Sequence, residues 1–283
     1  MNRSLRAWTP ATLAGLALLA GCTSTASSSP APPLAVTAPS SAASSSTAPS
    51  SAAASLAAPS SPAAAAPPAG SAAAVVAASL AALKAGRAVH VAISTTLSNG
   101  SITYSDDATA DGGRQHITLS TGGDVSILYT GGVGYVQGDV QGLADFMNVP
   151  ASQAQSLAGQ WIAVHPGQEL GASSYADIVD GITLSSVASE IALAAPLTLT
   201  APATVAGQRA IGVQGRAPAS QQPPASARVT LDVAAAGSRP LRETVLASGG
   251  YKSTTTFSDW GESVPLTPPP NPVAPAASPP ALE

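Results

Sequence analysis

From residue 71 to 86 the apolar side chains Val76, Leu80 and Leu83 recur at i, i+4 and i+7, with Val75 beside them. That spacing places them on one stripe of a helix. Ser71 stands ahead of the run as a capping residue, and Lys84 and Gly86 close it with a cation in the last turn and a glycine stop. The opposite side of this helix is alanine, which implies close contact rather than a charged, solvated face. The period then drops to two. Val89, Val91, Ile93 and Leu97 alternate with Ala88, His90, Ala92, Ser94 and Thr96, and Asn99-Gly100 follows as a hairpin signal. Further short strands are predicted over 102–109, 114–120, 125–129 and 133–137, separated by glycine pairs that begin at Gly112, Gly122 and Gly131.

Alternation fails between 143 and 159. Leu143, Phe146 and Met147 sit at helical spacing, and 150–157 suits a second short helical turn before a strand at 161–164. The broken periodicity marks 143–157 as a candidate lid. The stretch 175–179 is ambiguous, and a further helix is predicted from Ser185 or Ser186, with Val187 and Ile191 on its stripe, ending before Pro196. Strands resume over 197–205, 209–214, 228–234, 241–247 and 251–258, with a proline-rich loop at 217–224. Runs of strands with few helices predict an α+β fold, a single antiparallel sheet covered on one face by helices.

Composition divides the chain. Alanine, serine and proline dominate residues 22–70 without periodic large apolar residues, and such a segment buries too little surface to offset its chain entropy. It is expected to be a disordered tether, and 268–283, with the same proline and alanine bias, a disordered tail. Residues 71–267 are left as the folded domain. Only 9% of the 283 residues are charged and the formal net charge is -4, so the basic footprint of a nucleic-acid binder is absent. One cysteine excludes an internal disulfide framework.

That cysteine has a context. Arg3 and Arg6 precede an apolar run from 11 to 20, the layout of a secretory signal over residues 1–21. Leu19-Ala20-Gly21-Cys22 resembles the lipobox of bacterial lipoproteins. The resemblance implies diacylglyceryl transfer to the Cys22 sulfur, cleavage before Cys22, and palmitate or a related acyl group on the new amino terminus. The expected address is the outer face of the cell membrane, with the protein held there by lipidated Cys22.

A second likeness covers about 190 residues after the tether. The leading helix, the Gly134-Tyr135-Val136 strand, Gln160-Trp161-Ile162-Ala163-Val164, the 206–211 hairpin Ala-Gly-Gln-Arg-Ala-Ile and the closing Phe257-Ser258-Asp259-Trp260-Gly261 resemble actinobacterial lipoproteins of the LppX/LprAFG group. That group is similar in fold to the periplasmic carriers LolA and LolB. The likeness implies a strongly curved antiparallel sheet, a half-barrel, with helices covering its concave face and an apolar cavity that takes an acylated lipid or glycolipid. Val76, Leu80, Leu83, Val89, Val91, Ile93 and Leu97 are the expected lining, although ordinary core packing would use the same residues. The protein is expected to be a monomer and not an enzyme, with no cofactor and an export partner that the sequence does not name. The reading set against this one is a tethered surface interaction or scaffolding module whose sheet is filled by its own side chains.

Other chemistry finds little footing. His90, His116 and His165 lack partners at metal-ligand spacing, so no metal is expected. No Gly-x-Ser-x-Gly elbow occurs, and Gly131-Gly132-Val133-Gly134 is followed by no helix, which makes it a turn rather than a dinucleotide loop. Asp106, Asp107 and Asp111 suggest a solvated acidic loop. Trp161 and Trp260 suit either core anchors or the mouth of a cavity.

Overall fold

The protein was analysed as a computed structural model that describes residues 70–191, 193–218 and 226–275. Cys22, the signal and the tether lie outside the described residues, as do residues 276–283. The first helix, α1 (Ala72–Lys84), starts where the Ser71 hydroxyl accepts a hydrogen bond from the Ala74 amide at 3.2 Å. It leads into β1 (Ala88–Leu97), β2 (Gly100–Thr109), β3 (Gly113–Leu119), β4 (Asp124–Thr130) and β5 (Val133–Gly138), an antiparallel meander. Gly131 and Gly132 both adopt positive φ, 58° and 79°, the two-residue turn that a right-twisted hairpin favours. At the β1–β2 hairpin the turn is made by Ser98 and Asn99, because Gly100 already pairs with Leu97. The turn therefore lies one residue earlier than Asn99-Gly100.

Two short helices, α2 (Val140–Asp145) and α3 (Ala151–Leu157), occupy the stretch where alternation fails, and β6 (Ile162–Val164) returns to the sheet beside β5. A small hairpin of β7 (Glu169–Leu170) and β8 (Ser173–Ser174) follows, too short to leave a periodic trace in sequence. The ambiguous stretch forms α4 (Tyr175–Val179), and α5 (Leu184–Glu190) is set by a Thr183/Ser186 capping box. The second half is β9 (Ala194–Leu199), β10 (Ala203–Val205), β11 (Gln208–Arg216), β12 (Arg228–Ala234), β13 (Pro240–Leu246) and β14 (Lys252–Ser258). The strand predicted over 197–205 is thus two strands. Pro202, which has no N–H to donate, lies in the break.

Twelve strands form one open, curved antiparallel sheet in the order β10-β11-β12-β13-β14-β1-β2-β3-β4-β5-β6, with β9 also on β11. The fold class read from the sequence therefore holds. Its centre is the β1–β14 pair, where Val91 faces Phe257, so the first and last strands of the sheet join the two meanders. Register shifts at Gln214/Arg216 and Asp232/Val233 are the bulges that bend its far side.

Composition alone ended the folded part at Thr267. The structure carries it further: the Val273 amide donates to the Trp161 carbonyl and the Ala163 amide to the Val273 carbonyl, both at 2.8 Å. A proline-rich segment has donors to spare wherever a non-proline residue intervenes, and Val273 uses its own to cover the otherwise open edge of β6. Asp106 also departs from expectation. It is buried on the inner face of β2 rather than part of a solvated loop, while its neighbour Asp107 points outward.

Candidate functional site

Alternation turns Val89, Val91, Ile93, Thr95 and Leu97 to the inner face of β1, and the registers carry that face outward along the sheet. One row runs Glu243, Thr255, Ile93, Tyr104, Ile117 and Val125 across six neighbouring strands. The apolar side chains on this face fall into two principal clusters rather than one. In the first, Tyr104, Ile117, Ile127, Val136 and Ile162 pack with Leu143, Met147, Ala154 and Leu157 of the α2–α3 segment and with Ile178 of α4. In the second, Val89, Val91, Leu231 and Phe257 pack with Leu83 of α1 and with Leu184, Val187 and Ala188 of α5.

Ile93 touches both clusters and is only partly buried. Leu97 and Phe146, also partly buried, border the first, and the Phe146 ring meets Tyr104 edge to face at a centroid distance of 6.2 Å. On the inner face of β1 and β14, Thr95 and Ser253 are buried with their hydroxyls 2.9 Å apart. The two hydroxyls bond to each other, and Ser253 is also hydrogen-bonded with Tyr251. The result is a seam along the inner face with apolar walls and an internally satisfied polar floor.

One carboxyl lies on the row that crosses the seam. Burial raises the Glu243 pKa to about 8, and repulsion from Glu190 adds to the shift. At neutral pH that side chain is mostly protonated, so the inner face remains close to uncharged there. Tyr175, at the start of α4, has its phenol pushed up to about 12 by burial, with Tyr129 contributing, and donates to the Gly132 carbonyl at 2.7 Å.

The seven residues expected to line a cavity do not share one environment. Leu83, Val89 and Val91 are at most 2% exposed and sit within the second cluster. Val76, Leu80 and Ile93 pack against that cluster from its margin, and Leu97 belongs with the first. Leu97 also lines a small hollow of about 20 Å³, partly open to solvent, with Asn99, Ser101, Ile102, Leu119, Ser120 and Thr121. Thr255, Ser253 and Glu243 on the inner face escaped the sequence reading, and Phe146 was legible only as part of the candidate lid. Glu243 did leave a signal, because Leu241, Glu243 and Val245 alternate and put a carboxyl at an apolar phase.

On the outer face the His90 Nδ1 lies 2.7 Å from Asp107 Oδ1, and Arg114 Nε donates to the other carboxylate oxygen at 2.5 Å. Burial pushes the Asp107 carboxyl up, but the His90 and Arg114 contacts outweigh it and the net shift is downward. His90 is therefore hydrogen-bonded to Asp107 rather than simply solvated. Trp260 closes the second cluster; Arg239 lies over its ring at 5.2 Å, and its indole N–H is buried without a partner. Among the described residues there is no group of three metal-ligating side chains, and no helix is long and apolar enough to cross a membrane.

Comparison with known proteins finds no matching family model and no matching curated protein. Among solved structures, the chain is similar in fold to LprF from Mycobacterium bovis, at 17% identity over 70% of this chain and 95% of that one, with a TM-score of 0.48. It is similar also to the lipoprotein LppX of Mycobacterium tuberculosis, at 20% identity over 69% of this chain and 97% of that one, TM-score 0.46. A LolA-superfamily protein from Nitrosomonas europaea matches at 13% identity over 70% and 98%, TM-score 0.27.

Proposed function

We propose that the protein is a membrane-anchored extracytoplasmic lipoprotein that binds an acylated lipid or glycolipid between its sheet and its helices. The observation that carries this reading is the divided inner face, two apolar clusters under separate helices, with partly buried Ile93 shared by both and partly buried Leu97 and Phe146 bordering the first. Helices that pack on the sheet in two groups can part without breaking a strand pair. Parting is required, because the hollow at Leu97, about 20 Å³, is far smaller than the roughly 300–1,000 Å³ of an ordinary small-molecule pocket. An acyl chain contributes about 0.8 kcal/mol for each methylene it buries, so a chain of roughly fourteen carries on the order of 10 kcal/mol toward that opening. The action is binding, not bond-making. Passing the lipid from one membrane to another is the step such binding would permit, with Cys22 as the anchor and the residues up to 70 as the reach.

Tight packing of Leu83, Val89 and Val91 favours a second reading, a tethered interaction module with a filled core and no lipid. Mass spectrometry of organic extracts from the purified chain separates the two. An acyl lipid in near-stoichiometric amount, beyond the one attached at Cys22, supports binding; a chain that carries none, and takes up none from vesicles, leaves the interaction module.

A further inference from the structure

The hairpins β11–β12 and β13–β14 turn on the same rim of the sheet, and the strand registers line up four of their residues there. Arg216, the last residue of β11, faces Arg228, the first of β12; Arg228 faces Leu246, the last of β13; and Leu246 faces Lys252, the first of β14. All four are exposed, Leu246 to 45%. Alternation puts them on the outer face with Arg242, away from the two apolar clusters. Three steps of about 4.8 Å between neighbouring strands carry the row over about 14 Å.

No anion of the protein answers this row. None of the three cations has an ion pair or a side-chain hydrogen bond among the described residues. The connections beside them, 217–227 and 247–251, contain no Asp or Glu. The row continues into Ala194 of β9 and Thr96 of β1, both uncharged. Two residues further in along the same face stand Gln214, Thr230, Thr244 and Thr254, uncharged as well. Asp232 is four residues from Arg228, about 13 Å along the strand, and Arg242 already holds it at 2.7 Å. Glu243 is buried on the opposite face. Like charges directly opposite one another weaken a strand pair, so Arg216 against Arg228 costs the fold stability that an outside anion would return.

We propose that this rim is the surface by which the folded domain docks on an anionic bilayer. A soluble polyanion would engage the cations and leave Leu246 in water. A bilayer surface takes both kinds of side chain: lipid phosphates meet Arg216, Arg228 and Lys252, and Leu246 between them reaches the acyl boundary. The chain as a whole carries a net charge of -4, so its attraction to such a surface is local to the row rather than general. Docking here turns the β11–β12 and β13–β14 connections toward the lipid. It depends neither on acylation of Cys22 nor on the lipid-binding reading above.

Co-sedimentation tests the rim, using the full chain with Cys22→Ser, which has no acyl anchor, and vesicles of phosphatidylcholine alone or mixed in equal parts with phosphatidylglycerol. Residues 1–21 are common to every variant, so their contribution cancels between variants. The mixed vesicles should bind on the order of 10-fold tighter or more, with the advantage shrinking as salt is added. Each cation near such a surface strengthens binding roughly 5-fold, so replacing all three, by Arg216→Gln, Arg228→Gln and Lys252→Gln together, should weaken it on the order of 100-fold. The denaturant midpoint of that triple variant should hold or rise, since the opposed charges are gone. Equal binding of the unaltered row to both kinds of vesicle, or a triple variant that binds mixed vesicles as its parent does, overturns the proposal. Leu246→Ser separates a bilayer from a soluble polyanion. It should weaken vesicle binding on the order of 10-fold and leave binding to heparin unchanged, and vesicle binding that Leu246→Ser does not move overturns the bilayer as the occupant.

Discussion

Thr95 Oγ1 lies 2.9 Å from Ser253 Oγ across 158 residues of sequence, both buried on the inner face. This contact joins β1 to β14, where the two halves of the chain meet in the middle of the sheet. Thr95→Val removes the Ser253 hydroxyl's partner on β1 and should cost about 0.5–1.5 kcal/mol. Adding Ser253→Ala removes both polar atoms and should recover most of that loss. Urea unfolding of the two single variants and the double variant measures the coupling, and strictly additive losses would contradict a direct bond.

The Glu243 carboxyl makes stability depend on pH in a direction opposite to that of a salt-bridged acid. Its folded pKa, about 8, lies above the ordinary 4.5, so the folded chain keeps a proton that the unfolded chain has released. The stability of this site is complete below about pH 4.5, falls as pH rises toward 8, and levels off beyond, with a slope of at most about 1.4 kcal/mol per pH unit. Asp107 acts in the other sense. Its lowered pKa adds stability that is present above the ordinary carboxylate range and is lost as pH falls through the folded value. Denaturant midpoints for the unaltered chain and for Glu243→Gln should converge near pH 5 and separate by pH 8.

Leu83 and Ile93 differ in what they do. Leu83 is fully buried in the second cluster, and Leu83→Ala should cost about 2–5 kcal/mol through lost burial and the cavity left behind. Ile93 is only partly buried where the two clusters meet, so Ile93→Gln should cost less stability than Leu83→Ala but weaken uptake of a fluorescent fatty acid on the order of 10-fold, the effect of one unpaired amide beside an acyl chain. Equal affinities for Ile93→Gln and the unaltered chain would remove the seam as the binding route.

Val273 closes the β6 edge with two backbone hydrogen bonds. Val273→Pro removes the donor to Trp161 and should lower stability by about 0.5–1.5 kcal/mol. Exchange of the β6 amides should quicken with it, and unchanged exchange would show that the segment contributes nothing to the edge.

Cys22→Ser should shift the protein from the membrane fraction to the aqueous one and abolish incorporation of radiolabelled palmitate. Retention in the membrane with the label still incorporated would refute the lipobox reading.

Most strands were legible because each is half-buried: Val89, Val91, Ile117 and Ile127 keep strict period two, and Gly131-Gly132 has no other ready use than a turn. The α1 stripe and its Ser71 cap were legible for the same local reason. The candidate site was legible only in part. Val76, Leu80, Leu83, Val89 and Val91 were chosen for being apolar and periodic, which is also what a filled core requires, and the structure packs them as one. Phe146 was legible only as part of the candidate lid because the chain around it is neither regularly helical nor extended, and Ser253 was hidden because a hydroxyl facing inward looks like any other polar strand residue until its partner is known.

What the sequence determined by itself was local: where the helices and strands lie, which side of each faces the core, and the context of its single cysteine, since these depend on residues a few positions apart. Tertiary structure alone decided that β1 pairs with β14, that the inner face divides at Ile93, that Val273 returns to cover β6, and that Glu243 faces Thr255 from a buried position. Each of these joins residues a dozen to more than a hundred positions apart. No local periodicity encodes such a meeting, because it follows from how the whole sheet closes its apolar face against a small set of helices.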